Sequence, residues 1–235
     1  MIPLKDRIPR STTPVITVLL IVVNTLIFLY ELTLPARLEP AFFMSYAMVP
    51  ARLTHQLFAP HVPLTVALTP FLTSMFLHGG WLHLIGNMWF LWVFGDNVED
   101  RLGHLSYLLF YLVCGFGAGL AHVVMNLGSD VPSLGASGAI SGVLGAYIVM
   151  FPRARVLTLV PLIVFWFTVD IPAFFILGYW FVIQFFSGLS SLGMRGAGGG
   201  GVAWWAHIGG FLLGVVLVRI WPRRRRPIPY WEWQA

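Results

Sequence analysis

Six stretches of the chain, residues 15–32, 81–94, 105–127, 137–151, 171–189 and 202–221, each hold at most one Asp, Glu, Lys or Arg, and the charge lies in the short segments between them. Apolar runs of that length satisfy their backbone groups only as helices, in lipid or among other helices. With 58% hydrophobic and 10% charged residues and a mean hydropathy of +0.82, the chain has too little polar surface to coat a soluble globule. The reading is an all-α polytopic membrane protein with six transmembrane helices. No small-residue cleavage site follows residues 15–32, so this stretch reads as a spanning helix and not a signal peptide. Residues 34–70, rich in proline and apolar clusters, read as short helical pieces at the membrane surface or dipping into it. Residues 95–101 read as a charged turn. Residues 156–167, apolar and broken by Pro161, lie in the interface or extend the next span. Residues 193–201 form a flexible glycine-rich loop, and the Trp- and Tyr-rich tail at 227–235 sits at headgroup level.

The net charge of +5 raises the question of nucleic acid, but the basic residues cluster at the ends of the apolar stretches. Lys5, Arg7, Arg10, Arg101, Arg153, Arg155, Arg219 and residues 223–226 put eleven of the fourteen Lys and Arg on the side of the termini, leaving Arg37, Arg52 and Arg195 opposite. By the positive-inside rule both termini are cytoplasmic, and the second, fourth and sixth helices begin at the outer side. The charge is a topology signal, and no nucleic-acid partner is expected. The single cysteine, Cys114, excludes an intrachain disulfide and a cysteine metal cluster.

Polar residues inside such helices mark function. In Gly135-Ala136-Ser137-Gly138 a serine opens an apolar helix, where first-turn N–H groups lack intrahelical partners and can stabilise developing negative charge. In the sixth stretch His207, Gly210 and Gly214 share one helical face, and Gly138, Ser141, Gly142 and Gly145 form a similar small-residue face in the fourth. Such faces let backbones approach closely in lipid, so these two helices are expected to cross tightly. Ser137 precedes Pro152, and His207 precedes Pro222, by 15 residues. At about 1.5 Å per residue both lie roughly 22 Å above the cytoplasmic boundary of a hydrocarbon core roughly 30 Å thick. Asn87, one turn after His83 on the same face, precedes Arg101 by 14 residues, which is roughly 21 Å by the same rise.

Four polar side chains from three helices thus meet at one depth. A serine hydroxyl needs a base, and a neutral imidazole suits that task near neutral pH, so His207 is assigned as base to Ser137. Asn87 and the Ser137 N–H are candidate oxyanion donors, joined by His83. Asp170 and Glu31 read as too distant to orient His207, leaving a Ser/His dyad. His55, His61 and His104 read as solvated surface groups, His122 as a packing hydrogen bond, and His78 as a support for the loop entering the second helix. No HExxH or GxGD pattern occurs, and no metal or cofactor is expected.

These motifs, His83-x-x-x-Asn87, Gly135-Ala136-Ser137-Gly138 and Ala206-His207-x-x-Gly210-x-x-x-Gly214, in this order, resemble those of the rhomboid family of intramembrane serine proteases. The resemblance extends to Phe94-Gly95-Asp96-Asn97-Val98-Glu99-Asp100 and Phe76-Leu77-His78-Gly79-Gly80. It implies a single rhomboid-like domain over 1–235, with a core at about 10–221 and a basic and aromatic cytoplasmic tail at 222–235. It implies a Ser137/His207 dyad, an oxyanion site of Ser137, Asn87 and His83, helix packing through Gly135, Gly138, Gly142, Gly210 and Gly214, and cleavage of transmembrane protein substrates near their outward end. It further implies the bacterial type and a multi-pass place in a bacterial plasma membrane. Two positions depart from the pattern. Thr69-Pro70 stands where some members have Trp-Arg, and Ser141 stands where some have an aromatic residue stacked on the histidine.

A non-catalytic rhomboid-like binder of transmembrane helices would lack the nucleophile or the base, and both are here. A transporter would carry inverted repeats and a polar track across the membrane, whereas this polar cluster stops at one depth. The substrate, the cleavage motif and the oligomeric state have no sequence signature.

Overall fold

The computed structural model of the chain describes residues 1–59, 61–162, 165–193 and 202–224. Its helices are α1 (Val15–Glu31), α2 (Glu39–Tyr46), α3 (Pro50–Phe58), α4 (Leu64–Thr73), α5 (Trp81–Leu102), α6 (His104–Met125), α7 (Ser137–Met150), α8 (Ala173–Gly193) and α9 (Trp204–Ile220). Its strands are β1 (Ile2–Asp6), β2 (Arg155–Leu162) and β3 (Phe165–Pro172). Helices α1 and α5 to α9 stand on the six apolar stretches, and α2 to α4 are the short pieces expected before α5. By length and composition α6 and Ala173–Leu192 of α8 can cross a membrane, while α1, α7 and α9 are shorter apolar helices. Outward-facing Leu82, Leu105, Phe175 and Ile220 are exposed, a surface that suits lipid. Residues 194–201 of the glycine-rich loop and the aromatic tail at 227–235 lie outside the described residues.

Helix α7 is the centre. Every residue from Gly138 to Tyr147 is buried, with α5, α6 and α9 packed around it. A helix apolar on all sides belongs in such a position. The crossing with α9 is backbone against backbone: a methyl group at Gly210 would strike the Gly138 carbonyl, one at Gly214 the Gly142 carbonyl, and one at Gly145 the Phe211 carbonyl. On the other side, Cβ atoms at Gly138 and Gly142 would run into Ala118 and Cys114 of α6. Small residues here set the distance between three helices.

The charged residues expected as a turn at 95–101 are instead the last two turns of α5. The Glu99 carboxylate meets the start of α1, whose first N–H groups would otherwise be orphaned, and that of Asp100 meets the segment before it. Glu99, fully buried, accepts from Ile16 N–H (2.9 Å), Thr17 N–H (2.8 Å) and Thr17 Oγ1 (2.7 Å). Asp100 accepts from the N–H groups of Ser11 (3.1 Å) and Thr12 (3.0 Å) and from both hydroxyls. These carboxylates supply acceptors to N–H groups that have no partner within a helix. His104 is part of this network through Glu99 (2.6 Å), which corrects its reading as a merely solvated group. Gly103, at φ 85°, makes the reversal into α6.

The strands correct the all-α expectation. Residues 156–162 and 165–167, expected in the interface or as an extension of the next span, are strand. Here β2 and β3 pair antiparallel from Arg155↔Pro172 to Leu162↔Phe165, and β1 adds to the other edge of β2. Residues rich in Val, Leu, Phe and Thr favour the pleated form once a partner strand exists. Pro161 is tolerated because the pairing of β1 ends at Ile2↔Leu159, so its missing N–H removes no bond on that side. Arg7 and Asp170 pair across the sheet (3.1 Å), and Arg224 N–H reaches the Arg101 carbonyl (2.9 Å). The start of the chain, the sheet, the α5–α6 junction and residue 224 therefore share one end of the bundle.

Asp6 locks β1 to that end, accepting from Tyr147 Oη (2.6 Å) and Asn97 Nδ2 (2.6 Å). Burial, helped by nearby Asp96, pushes its carboxyl up to about 7, against the opposing pull of the Tyr147 hydroxyl, Lys5 and Asn97. An unfolded Asp titrates near about 3.9. Between about pH 4 and 7 the folded chain therefore holds a proton that the unfolded chain has released, and stability falls as pH rises through that window. Thermal unfolding should occur at lower temperature at pH 8 than at pH 5, and Asp6→Asn should remove part of that difference. An unchanged pH dependence in Asp6→Asn would contradict this role.

Candidate active site

Ser137 opens α7, and His207 lies in the first turn of α9, so the glycine crossing that fixes the two helices also sets the distance between these side chains. His207 Nε2 is 2.7 Å from Ser137 Oγ. His207 is 8% exposed, which keeps most solvent from the pair. Ser141, one turn below, turns its hydroxyl to the Ser137 carbonyl (2.6 Å). The ring is met from α8 and α9 instead: Trp180 lies at a centroid distance of 6.0 Å, tilted by 36°, and Trp204 is edge-on at 6.3 Å. Its Nδ1 is 2.7 Å from Oε1 of Gln184, itself buried.

Asn87 and His83 project from α5 toward the loop before α7. Asn87 Nδ2 is buried without a hydrogen-bond partner. A polar group in that condition is costly unless something occupies the space in front of it. Gly135 explains how the space is kept. It has φ 121°, its N–H donates to the Ser74 carbonyl (2.8 Å), and a Cβ there would lie 2.6 Å from His83 Nε2 and 3.5 Å from Asn87 Nδ2. A side chain would fill the gap between the two donors. Gly135 is thus not a helix-packing glycine, as its grouping with Gly138, Gly142, Gly210 and Gly214 implied. It belongs to the pocket wall because it precedes α7 and faces α5.

Other titratable groups fall elsewhere. Asp170 pairs with Arg7, and the Glu31 carboxylate accepts the His78 N–H at 3.3 Å. His78 lies with its ring 5.2 Å from that of His83, behind the pocket. His122 neighbours Asn126, which donates to its carbonyl at 2.8 Å. Sequence reasoning missed Trp180 and Gln184. The signal was present: Gln184 is the one amide side chain within residues 171–189, four residues after Trp180 and so on the same face.

The arrangement offers a hydroxyl in contact with an imidazole, and an unpaired amide donor facing Gly135, two residues before the serine. That is the equipment for acyl transfer through a tetrahedral oxyanion.

Comparison with known proteins agrees with this geometry. The family model described as the Rhomboid domain matches residues 66–224. The chain is 42% identical over 72 residues to Rhomboid-like protein 11, chloroplastic, of Arabidopsis thaliana, covering 31% of this chain and 25% of that protein. It is 31% identical over 151 residues to Rhomboid protein 1, mitochondrial, of Saccharomyces cerevisiae, covering 61% and 39%. It is 32% identical over 178 residues to Presenilin-associated rhomboid-like protein A, mitochondrial, of Danio rerio, covering 69% and 41%. The matched regions span less than half the length of these relatives. Their names are mitochondrial and chloroplastic, so the expectation of a bacterial type in a bacterial plasma membrane is not borne out.

Proposed function

The chain belongs to the rhomboid family, and on that footing we propose that this integral membrane protein is a serine endopeptidase that cuts transmembrane protein substrates near their outward end. In this reading α1 and α5 to α9 span the bilayer with both termini cytoplasmic. The observation that carries the reading is the 2.7 Å contact between Ser137 Oγ and His207 Nε2, with the unpaired Nδ2 of Asn87 facing Gly135 two residues before the serine. Ser137 Oγ attacks the scissile carbonyl as His207 Nε2 takes its proton. The oxyanion is held by Asn87 Nδ2–H, the Ser137 N–H and His83. His207 then gives the proton to the leaving amine, and an acyl-enzyme remains. Water entering from the outer side is deprotonated by His207 and releases the second product. A non-catalytic family member would have no use for a base poised on a serine.

The site lies about 8 Å below the outer hydrocarbon edge by the rise per residue, and a helical substrate hides its carbonyls there. Substrates are selected by how readily their outward end unwinds. Gly costs about 0.8 kcal/mol more than Leu in a helix, so replacing two glycines at the cut site by Leu should slow cleavage about tenfold. The test uses purified protein in liposomes with a single-span substrate, its products mapped by mass spectrometry. Cutting at the cytoplasmic end, or indifference to the Leu replacements, would overturn this reading.

A further inference from the structure

Resting on the protease reading above, we propose that Gln184 is a positioning residue for the base: its side-chain carbonyl holds His207 in the tautomer that leaves Nε2 free to take the Ser137 proton. An amide oxygen only accepts, so at 2.7 Å Nδ1 carries the hydrogen and Nε2 does not. The other tautomer would turn Nε2–H toward Ser137 Oγ and remove the base. The same bond strengthens when the imidazole becomes imidazolium, because a charged donor makes the stronger hydrogen bond. A neutral acceptor achieves this without a second buried charge, whose desolvation at this depth would be expensive.

The fold supports the assignment. Trp180 and Gln184 lie one turn apart on α8, so one helix face supplies both a ring beside the imidazole and the acceptor for its Nδ1. These contacts take the place of an aromatic residue at Ser141, whose hydroxyl is turned to the Ser137 carbonyl.

Three measurements on the full chain test the proposal. In wild type selectively labelled with ¹⁵N-histidine, with the His207 signals assigned by their loss in His207→Asn, Nδ1 should be the protonated nitrogen at pH 8. A protonated Nε2 would overturn the proposal with no variant needed. Gln184→Leu should lower kcat tenfold or more with little change in KM. Gln184→Glu, which keeps the acceptor and adds charge, should recover turnover relative to Leu and move the acidic limb of the kcat/KM profile to higher pH. Wild-type turnover in Gln184→Leu, or an acidic limb unmoved in Gln184→Glu, would also overturn it. The tautomer measurement needs no substrate, so its outcome stands apart from failure of the protease reading, which would show as an inactive wild type.

Discussion

Ser137→Ala and His207→Ala should each reduce cleavage of a transmembrane substrate by roughly 10⁴-fold or more, because a nucleophile and its base act as a unit and losing either removes most of the rate. The double variant should be hardly worse than either single one. Neither change should disturb the fold much. Ser137 is at the end of α7, where its hydroxyl contacts His207, and the α7–α9 crossing rests on Gly138, Gly142, Gly145, Gly210 and Gly214. Ser137→Ala should therefore purify with wild-type thermal stability to within about 1 kcal/mol, while His207→Ala, which leaves the buried Gln184 Oε1 without its partner, should lose about 1–3 kcal/mol and still fold, which separates lost chemistry from lost structure. Turnover near wild type in either variant would remove the dyad.

Asn87→Ala should lower kcat by roughly 10²- to 10³-fold, about 2.7–4 kcal/mol of transition-state stabilisation, with a smaller effect on KM. The reason is geometric: Asn87 Nδ2 is buried with no partner, so its donor is free for an oxygen that arrives with the substrate and becomes charged only during reaction. Gly135→Ala should act on the same step by placing a methyl group against His83 Nε2. If Asn87→Ala raised KM and left kcat intact, Asn87 would bind substrate without stabilising the oxyanion.

The site was legible because its members could be measured from charged stops. Ser137, His207 and Asn87 each precede a basic boundary by nearly the same number of residues, and a helix converts that count to depth. Gln184 had no such ruler, since α8 runs toward a glycine-rich stretch and starts from the sheet. The sheet was hidden for a different reason. Strands β2 and β3 are neighbours in sequence, but their nearly continuous apolar run has no polar alternation and reads equally well as helix, and β1, some 150 residues away, adds the third edge. Glu99 and Asp100 looked like a turn because charge so rarely continues an apolar helix. They continue α5 because the first turn of α1 presents its unpaired N–H groups to Glu99 and the segment before it presents those of Ser11 and Thr12 to Asp100. Local periodicity thus located the helices and the polar cluster, while the roles of Glu99, Asp100 and β1 depend on partners distant in sequence.

Labelling with a serine-directed fluorophosphonate, located by tandem mass spectrometry, probes the Ser137–His207 pair most directly, because it reports nucleophilicity without a substrate. The expected result is one adduct, on Ser137, in the wild type, with labelling many-fold slower in His207→Ala. No adduct on Ser137 in folded protein, or equal labelling without His207, would contradict a serine activated by that histidine.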